Sequence, residues 1–439
     1  MLIGSLSSKK MTRTYLIIIF CLLAVSSFAQ SKSKCVEDME KLYELLKKTP
    51  SYKSQIKGKD AKQYQRLVQH LEWRVRNTSD QFECFCKLAE LFDPIKDNHL
   101  GFYQLPHTYI DPSLYDDPYV VKAYRKSPES KNFPRIDTDL DSLENLLAAK
   151  PESDIEGVYH YDTYLKAGLL KTENPDSLVA VILNTEIPNW EKGQIAFVLR
   201  KQEDTEHYTA YYAHPVHKVF LLVNNEKFTN GSFPESRFYG SLSNAIWRKN
   251  RMPAEDFSSL PDNYQTYELK QLNEQTQYVR LGSFSASKAN VMFSDLFYTK
   301  LENDLQAKNL ILDLRNNSGG ADKVAKKFLK LLGNYAEEHK IYAIVNNRTF
   351  SEAEKFIIEL SKHENVTTLG ETTNGTLAYG SNLGTKITLP SGDFQVYLTD
   401  TKDSGNYLNY EGKGLAPDVA LNPQKDWIEQ VKEEIKQRN

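Results

Sequence analysis

From about residue 275 onward, short apolar runs alternate with helix-like periods, and this alternation limits the fold more than any other feature of the chain. Strands are expected at Tyr278–Gly282, Leu310–Asp313, Ile341–Val345 and Thr367–Leu369, and helices at 287–306, 321–333 and 352–363. That order points to a layered α/β domain with a largely buried sheet. Lys386–Leu389 and Phe394–Leu398 read as a terminal hairpin, and 425–437 as a closing helix.

The preceding segments follow other rules. Between 155 and about 250, short alternating runs such as "SLVAVILN", "GQIAFVLRK" and "HYTAYYAH" are separated by turn residues at roughly ten-residue intervals, the pattern of an antiparallel sandwich or barrel. Between 35 and 93, three stretches place apolar residues at three- and four-residue spacing, with breakers at Pro50 and Gly58 and a polar gap from Asn77 to Asp80. The expected organisation is a signal segment 1–29, a helical region 30–103, a Pro- and Asp-rich linker region 104–154 with a helical end near Asp139 to Ala149, a β-rich middle domain 155–270 and the α/β domain 271–439. A chain of 439 residues has room for two or three such units. No internal repeat, low-complexity tract or GxGxxG phosphate loop appears.

Composition narrows the partners. With 40% hydrophobic and 26% charged residues the chain reads as a soluble globular protein. A net charge of -3 suggests neither a nucleic-acid partner nor a polybasic membrane anchor. Lys9, Lys10 and Arg13 precede the apolar run Thr14–Gln30, and the small residues Ser27 and Ala29 complete a cleavable secretory signal. Cleavage after Ala29 would leave Gln30 first. The apolar run is shorter than the roughly 20 residues that span a bilayer, and the bulky Phe20 before Cys21 argues against lipid modification. Export to the periplasm or beyond the cell is therefore expected, with no stable membrane anchor after cleavage. In that setting Cys35 is expected to form a disulfide with either Cys84 or Cys86. The C-x-C spacing lacks a second ligand pair, so no metal or other cofactor is expected.

Four stretches carry candidate chemistry. "NLILDLRNNSGG" (309–320) runs out of a buried strand into a glycine pair, which exposes backbone amides and permits close approach; alone, it also reads as a glycine turn before a capped helix. "NNRTFSEAEKF" (346–356) leads from a strand into a helix and contains two overlapping capping boxes, Thr349 to Glu352 and Ser351 to Glu354. "LGETTNGTLAYGSNLG" (369–384) and "NYEGKGLAPDVAL" (409–421) complete the set.

Together these stretches resemble peptidase family S41, the C-terminal processing or tail-specific proteases and their tricorn-core relatives. "DLRNNSGG" is similar to that family's strand-loop motif, "TFSEAE" to its nucleophile turn, "GETTNG" to its GE-x-T-x-G loop and "GKGLAPDV" to its closing motif; "IKDNHLGF" (95–102) resembles its D-x-H segment. The resemblance implies an α/β catalytic domain of the S41, crotonase-like kind, with Ser351 as nucleophile. In the tail-specific branch a lysine takes the serine proton, but Thr376 stands at the matching position and a hydroxyl cannot serve as that base. Lys355, one turn after Ser351, reads as a surface residue. The tricorn-like branch implies instead His99 as general base and Glu411 as the polarising or orienting carboxylate, with Asn98 placed to position the histidine or a water. His107 is the competing histidine. The surrounding motifs favour Thr349 as the helix cap, which puts Ser351 inside the first turn with its hydroxyl free; were Ser351 itself the cap, its oxygen would be partly occupied. The oxyanion site implied is the Glu352 amide with one from Gly319 or Gly320, and Asp313 and Arg315 hold the loop. No PDZ-like carboxylate loop precedes the α/β domain, so tail recognition is not implied. The activity expected is hydrolysis of peptide or protein substrates through an acyl-enzyme; an esterase-like hydrolase would use the same residues, and a catalytically inactive peptide- or ligand-binding protein is the alternative. Ser351 Oγ should then lie within hydrogen-bond reach of His99.

Overall fold

The computed structural model describes residues 33–203, 205–250, 257–260, 263–403 and 407–438. The signal segment 1–29, with Cys21 and Gln30, lies outside the described residues. Among the described residues no helix is long and apolar enough to cross a membrane, and no group of three or more His, Cys, Asp or Glu side chains could hold a metal ion.

The α/β expectation holds. A six-stranded sheet runs Tyr267–Asn273, Thr276–Leu281, Asn309–Asp313, Lys340–Val345, Val366–Gly370 and Val419–Ala420 in spatial order, antiparallel at the first pair and parallel thereafter. Its central strands read as unbroken apolar runs because helices cover both faces. Every residue of Thr276–Leu281 and Asn309–Asp313 is buried. Helices Lys288–Asp304, Asp322–Tyr335 and Glu352–Leu360 pack on one face through Phe297, Phe328 and Phe356, while Trp427–Arg438 covers the other through Trp427 and Val431. The expected boundary between 270 and 271 falls inside the first strand, because Tyr267–Asn273 pairs back on Thr276–Leu281 as a hairpin.

The β-rich part is neither a sandwich nor a barrel. It forms an open eleven-stranded sheet, antiparallel at each described pairing, that starts at Lys386–Thr388 and Phe394–Tyr397, continues through Gly101–Gln104 and Phe220–Lys227, and ends at Trp247–Arg248 and Ser232–Phe233. The terminal hairpin expected within the 271–439 domain thus leaves the α/β sheet. Phe102 pairs opposite Val396, and both are buried with Phe85 and Phe394 in one aromatic core. Phe85 stacks on Phe102 at 4.9 Å, and Phe394 lies 5.7 Å from Phe102. The 104–154 linker region holds helices Pro118–Arg125, Pro128–Lys131 and Leu140–Ala148.

Helices Lys34–Leu46, Pro50–Gln55, Gly58–Val75 and Gln81–Ala89 lie in the same core as the large sheet. Of the two cysteine pairings expected, the structure contains Cys35–Cys84, and Cys86 remains a thiol pushed up to about 12 by burial. This bond ties helices 49 residues apart, just before the loop that carries His99. Replacing both cysteines by serine is expected to cost about 4 kcal/mol of stability, from the loop entropy released in the unfolded chain. Urea unfolding of the double variant checks this; a midpoint equal to wild type would show that the helical layer needs no covalent tie.

Candidate active site

Ser351 sits where the parallel strand Lys340–Val345 has passed through the loop 346–350 and turned into the helix Glu352–Leu360. The loop is clamped before the serine is reached. Thr349 Oγ1 donates to the Leu314 carbonyl at 2.9 Å and accepts from the Asn346 amide at 3.1 Å, and Phe350 N–H donates to the Asn317 carbonyl at 3.1 Å. Thr349 is therefore a loop clamp, and Ser351 itself takes the N-cap position. The expectation that Thr349 caps the helix is corrected, and the reason is conformational. Ser351 has φ 62 and ψ -125, a region disfavoured for a residue with a Cβ, so the chain breaks helix geometry at the serine. The Glu354 amide donates to the Ser351 carbonyl at 3.0 Å, and the hydrogen bond described for the hydroxyl is with His99.

The hydroxyl meets a histidine brought from the other sheet. His99 Nε2 lies 3.1 Å from Ser351 Oγ. The loop bearing His99 leads into Gly101–Gln104 and is fixed by Asp97, whose Oδ1 accepts from the His99 amide at 3.2 Å and whose Oδ2 accepts from Thr399 Oγ1 at 2.7 Å. Burial lowers His99 to about 4, with the Lys355 charge acting in the same direction, so the imidazole is neutral across the physiological range. Its Nδ1 is buried and has no hydrogen-bond partner among the described residues.

Glu411 is 4% exposed. It does not meet the His99 ring. Oε1 accepts from the Asn98 amide at 2.7 Å, and Oε2 from the amides of Leu377 and Ala378 at 2.9 and 2.7 Å. Glu411 thus holds the backbone beside His99 and joins it to the loop after Gly375. Asn98 Nδ2 donates to the Gly375 carbonyl at 2.9 Å, which makes a second tie between the same segments. Burial pushes Glu411 up to about 7, against the pull of its three amide donors.

The glycine pair lies against the serine turn. A Cβ on Gly319 would come within 2.7 Å of the Glu352 amide nitrogen and 2.9 Å of Ser351 Cβ, and one on Gly320 within 2.1 Å of the Phe284 carbonyl oxygen. Gly319 has φ 79 and Gly320 φ 140, so glycine is needed at both for shape as well as space. The Gly319 amide is taken, donating to Asn317 Oδ1 at 2.9 Å. Among the described residues no hydrogen bond uses the amides of Gly320 or Glu352, so these two are the donors left for an anion. Beneath them, Arg315 Nη2 pairs with Asp313 Oδ2 at 2.6 Å while Arg280 Nη1 donates to the Arg315 carbonyl at 3.0 Å. Both Arg315 and Asp313 are buried and hold the loop, as expected.

One carboxylate was not singled out by sequence reasoning beyond its capping-box spacing. Glu354 is fully buried; its Oε1 accepts from Thr373 Oγ1 and the Gly375 amide, and its Oε2 from the amides of Thr376 and Ser351. Thr376, at the position of the family's lysine, turns its hydroxyl to Asn374 Oδ1 at 2.5 Å. His107 lies elsewhere, paired with Asp393 at 2.7 Å.

The model of peptidase family S41 matches residues 275–337. No curated protein matches in sequence. Among solved structures, the chain is similar to a putative peptidase from Parabacteroides merdae (13% identity over 93% of this chain and 97% of the other, TM-score 0.38). It is also similar to mature CPAF (10% identity, 92% and 97%, TM-score 0.42) and to the photosystem II D1 C-terminal processing protease (13% identity, 91% and 96%, TM-score 0.33). The match over 275–337 covers the strands Thr276–Leu281 and Asn309–Asp313 and the glycine pair beside Ser351, and this part of the chain is similar to peptidase family S41, which supports a peptidase as the activity class.

Proposed function

We propose that the protein is a serine peptidase that hydrolyses peptide bonds through an acyl-enzyme, with Ser351 as nucleophile and His99 as base. The observation that carries this reading is the 3.1 Å approach of His99 Nε2 to Ser351 Oγ, between residues 252 apart in the chain. A serine hydroxyl is a weak nucleophile until a base takes its proton, and a neutral buried imidazole is able to do so. As Oγ attacks the scissile carbonyl carbon, its proton passes to Nε2 and the carbonyl oxygen becomes an anion. The amides of Gly320 and Glu352 would receive that anion, the latter at a helix N-terminus. Loss of one such donor typically costs about 2.7–4 kcal/mol of transition-state stabilisation. The imidazolium then protonates the leaving amine, the acyl-enzyme remains, and water attacks it by the same route in reverse. Glu411 acts as an orienting carboxylate through the Asn98 backbone.

The disulfide Cys35–Cys84 supports export, because such bonds persist in oxidising compartments. A second reading, a catalytically inactive peptide- or ligand-binding protein, is favoured by two observations: Thr376 stands where the S41 resemblance implies a lysine, and His99 Nδ1 has no acceptor among the described residues.

Labelling with a serine-directed fluorophosphonate separates the readings. The wild type is expected to label once, and Ser351→Ala to abolish the signal while leaving unfolding unchanged. Labelling that survives Ser351→Ala would sink the nucleophile assignment. An intact wild type that never labels would support the binding protein.

A further inference from the structure

The large sheet contributes more to the site than the loop of His99. Glu235 follows the short strand Ser232–Phe233, on the chain segment after Phe220–Lys227. Its Oε1 accepts from Asn374 Nδ2 at 2.7 Å and from Asn347 Nδ2 at 3.2 Å. Asn347 lies in the loop that delivers Ser351. Asn374 lies in the loop whose following two amides reach Glu354. One oxygen therefore holds both loops that flank the nucleophile turn. Asn374 is fixed from other sides as well: its amide donates to the Thr349 carbonyl at 3.1 Å, and its carbonyl accepts from Asn225 Nδ2 at 3.1 Å.

Behind Glu235 stands a second carboxylate. Glu226 is fully buried, and its Oε1 accepts from the amides of Lys227 at 2.9 Å and Glu235 at 3.3 Å. Its Oε2 accepts from Tyr212 Oη at 2.7 Å. The chain of contacts runs from Tyr212 in the sheet, through Glu226 and Glu235, to the asparagines of the two active-site loops.

We infer that Glu235 is a positioning residue for acylation of Ser351, a role that rests on the serine-peptidase reading. It acts by fixing Asn347 and Asn374, and so the relative placement of the nucleophile turn and the 373–376 loop.

A pH dependence follows from the second carboxyl. Burial, with the Glu235 charge beside it, pushes Glu226 up to about 8, so below that pH the pair carries a proton. Glu235 is itself raised by burial and held back by the two asparagines and the charges of Lys227 and Arg237. Lys227 also faces Glu354, and Tyr212 caps Glu226. Above about 8 the buried Glu226 carboxyl ionises beside Glu235, and the added charge works against the fixed position of Glu235.

The test uses the full mature chain. Fluorophosphonate labelling rates are measured from pH 6 to 10 for wild type, Glu235→Ala, Glu235→Gln and Glu226→Gln, together with hydrogen exchange of peptides covering 346–351 and 373–377. Glu235→Ala is expected to slow labelling about tenfold or more and to speed exchange in both segments at once, since small misplacements at a nucleophile are costly. Glu235→Gln should restore both readouts, because its carboxamide oxygen can accept from both asparagines. Glu226→Gln should remove the alkaline decline in labelling. Wild-type rates and exchange in Glu235→Ala would overturn the inference, as would a glutamine variant no better than alanine. An alkaline decline that persists in Glu226→Gln would overturn the role of the pair. A wild type that fails to label sinks the nucleophile reading instead, while the paired exchange change still decides whether Glu235 holds the loops.

Discussion

Replacing His99 by alanine is expected to slow acylation of Ser351 by about 10²–10⁴-fold, the usual contribution of a positioned general base. The argument is geometric first. The described contact of Ser351 Oγ is with His99 Nε2. The pH profile then identifies the base. His99 is held near 4 by burial, so it stays neutral and basic down to that pH. Glu411 is held near 7, and its three amide bonds weaken when it gains a proton. The labelling rate should therefore fall in two steps on acidification, a shallow one near pH 7 and the full loss near 4. Glu411→Gln should remove the first step alone. The stability contribution of His99 has the matching sign: it binds its proton less readily folded than unfolded, so its contribution is lost as pH falls from the ordinary value of 6.5 toward 4, while Glu411, raised to about 7, works the other way between about 7 and 4.5. A single acid limb at 6.5, unaltered by Glu411→Gln, would contradict these environments. A His99→Ala rate equal to wild type would remove the base altogether.

The strands of the α/β core were legible because burial on both faces leaves little choice of residue. Leu310–Asp313 and Ile341–Val345 are each one residue short of the observed strands, and Thr367–Leu369 one short at each end. The destination of Lys386–Thr388 and Phe394–Tyr397 was not legible. A hairpin announces its own turn, but which sheet edge it joins depends on the aromatic core around Phe85 and Phe102, far away in sequence. The open form of the large sheet was hidden for the same reason, since Gly101–Gln104 carries no signal of the strands it bridges.

At the site, residue types were readable and local geometry was not. Ser351 at φ 62 could not be foreseen, because nothing marks a serine for a conformation that usually calls for glycine. The capping-box spacing was real: Glu354 accepts from the Ser351 amide, and the serine hydroxyl lies within reach of His99 Nε2. Glu411 was drawn as an orienting group and is found acting on the backbone. That the Gly319 amide is already engaged was not legible either, because it depends on the Asn317 side chain that accepts from it.

Glu354→Ala is expected to destabilise the fold by about 3–5 kcal/mol and to abolish acylation, because a fully buried carboxylate would be removed from four donors. Thr373 Oγ1 and the Gly375 amide meet Oε1 at 2.6 and 2.7 Å, and the amides of Thr376 and Ser351 meet Oε2 at 3.0 and 3.1 Å. Left unpaired, each donor costs about 1–3 kcal/mol, and the costs overlap where the loop can relax. That loss is a large part of the roughly 5–15 kcal/mol that holds a domain folded. The conservative change is informative here in the opposite sense to Glu235. Glutamine keeps the shape of Glu354 but in either orientation places its amide group against at least one backbone N–H donor, so Glu354→Gln should also be clearly destabilising. Urea unfolding gives the stability loss, and labelling at low urea, where the variants remain folded, gives the effect on Ser351. If Glu354→Gln unfolds with the wild-type midpoint, the carboxylate is not what joins the serine turn to the 373–376 loop, and the bonds left to join them are the backbone bonds Ser351–Thr376 at 2.9 Å and Asn374–Thr349 at 3.1 Å together with Glu235.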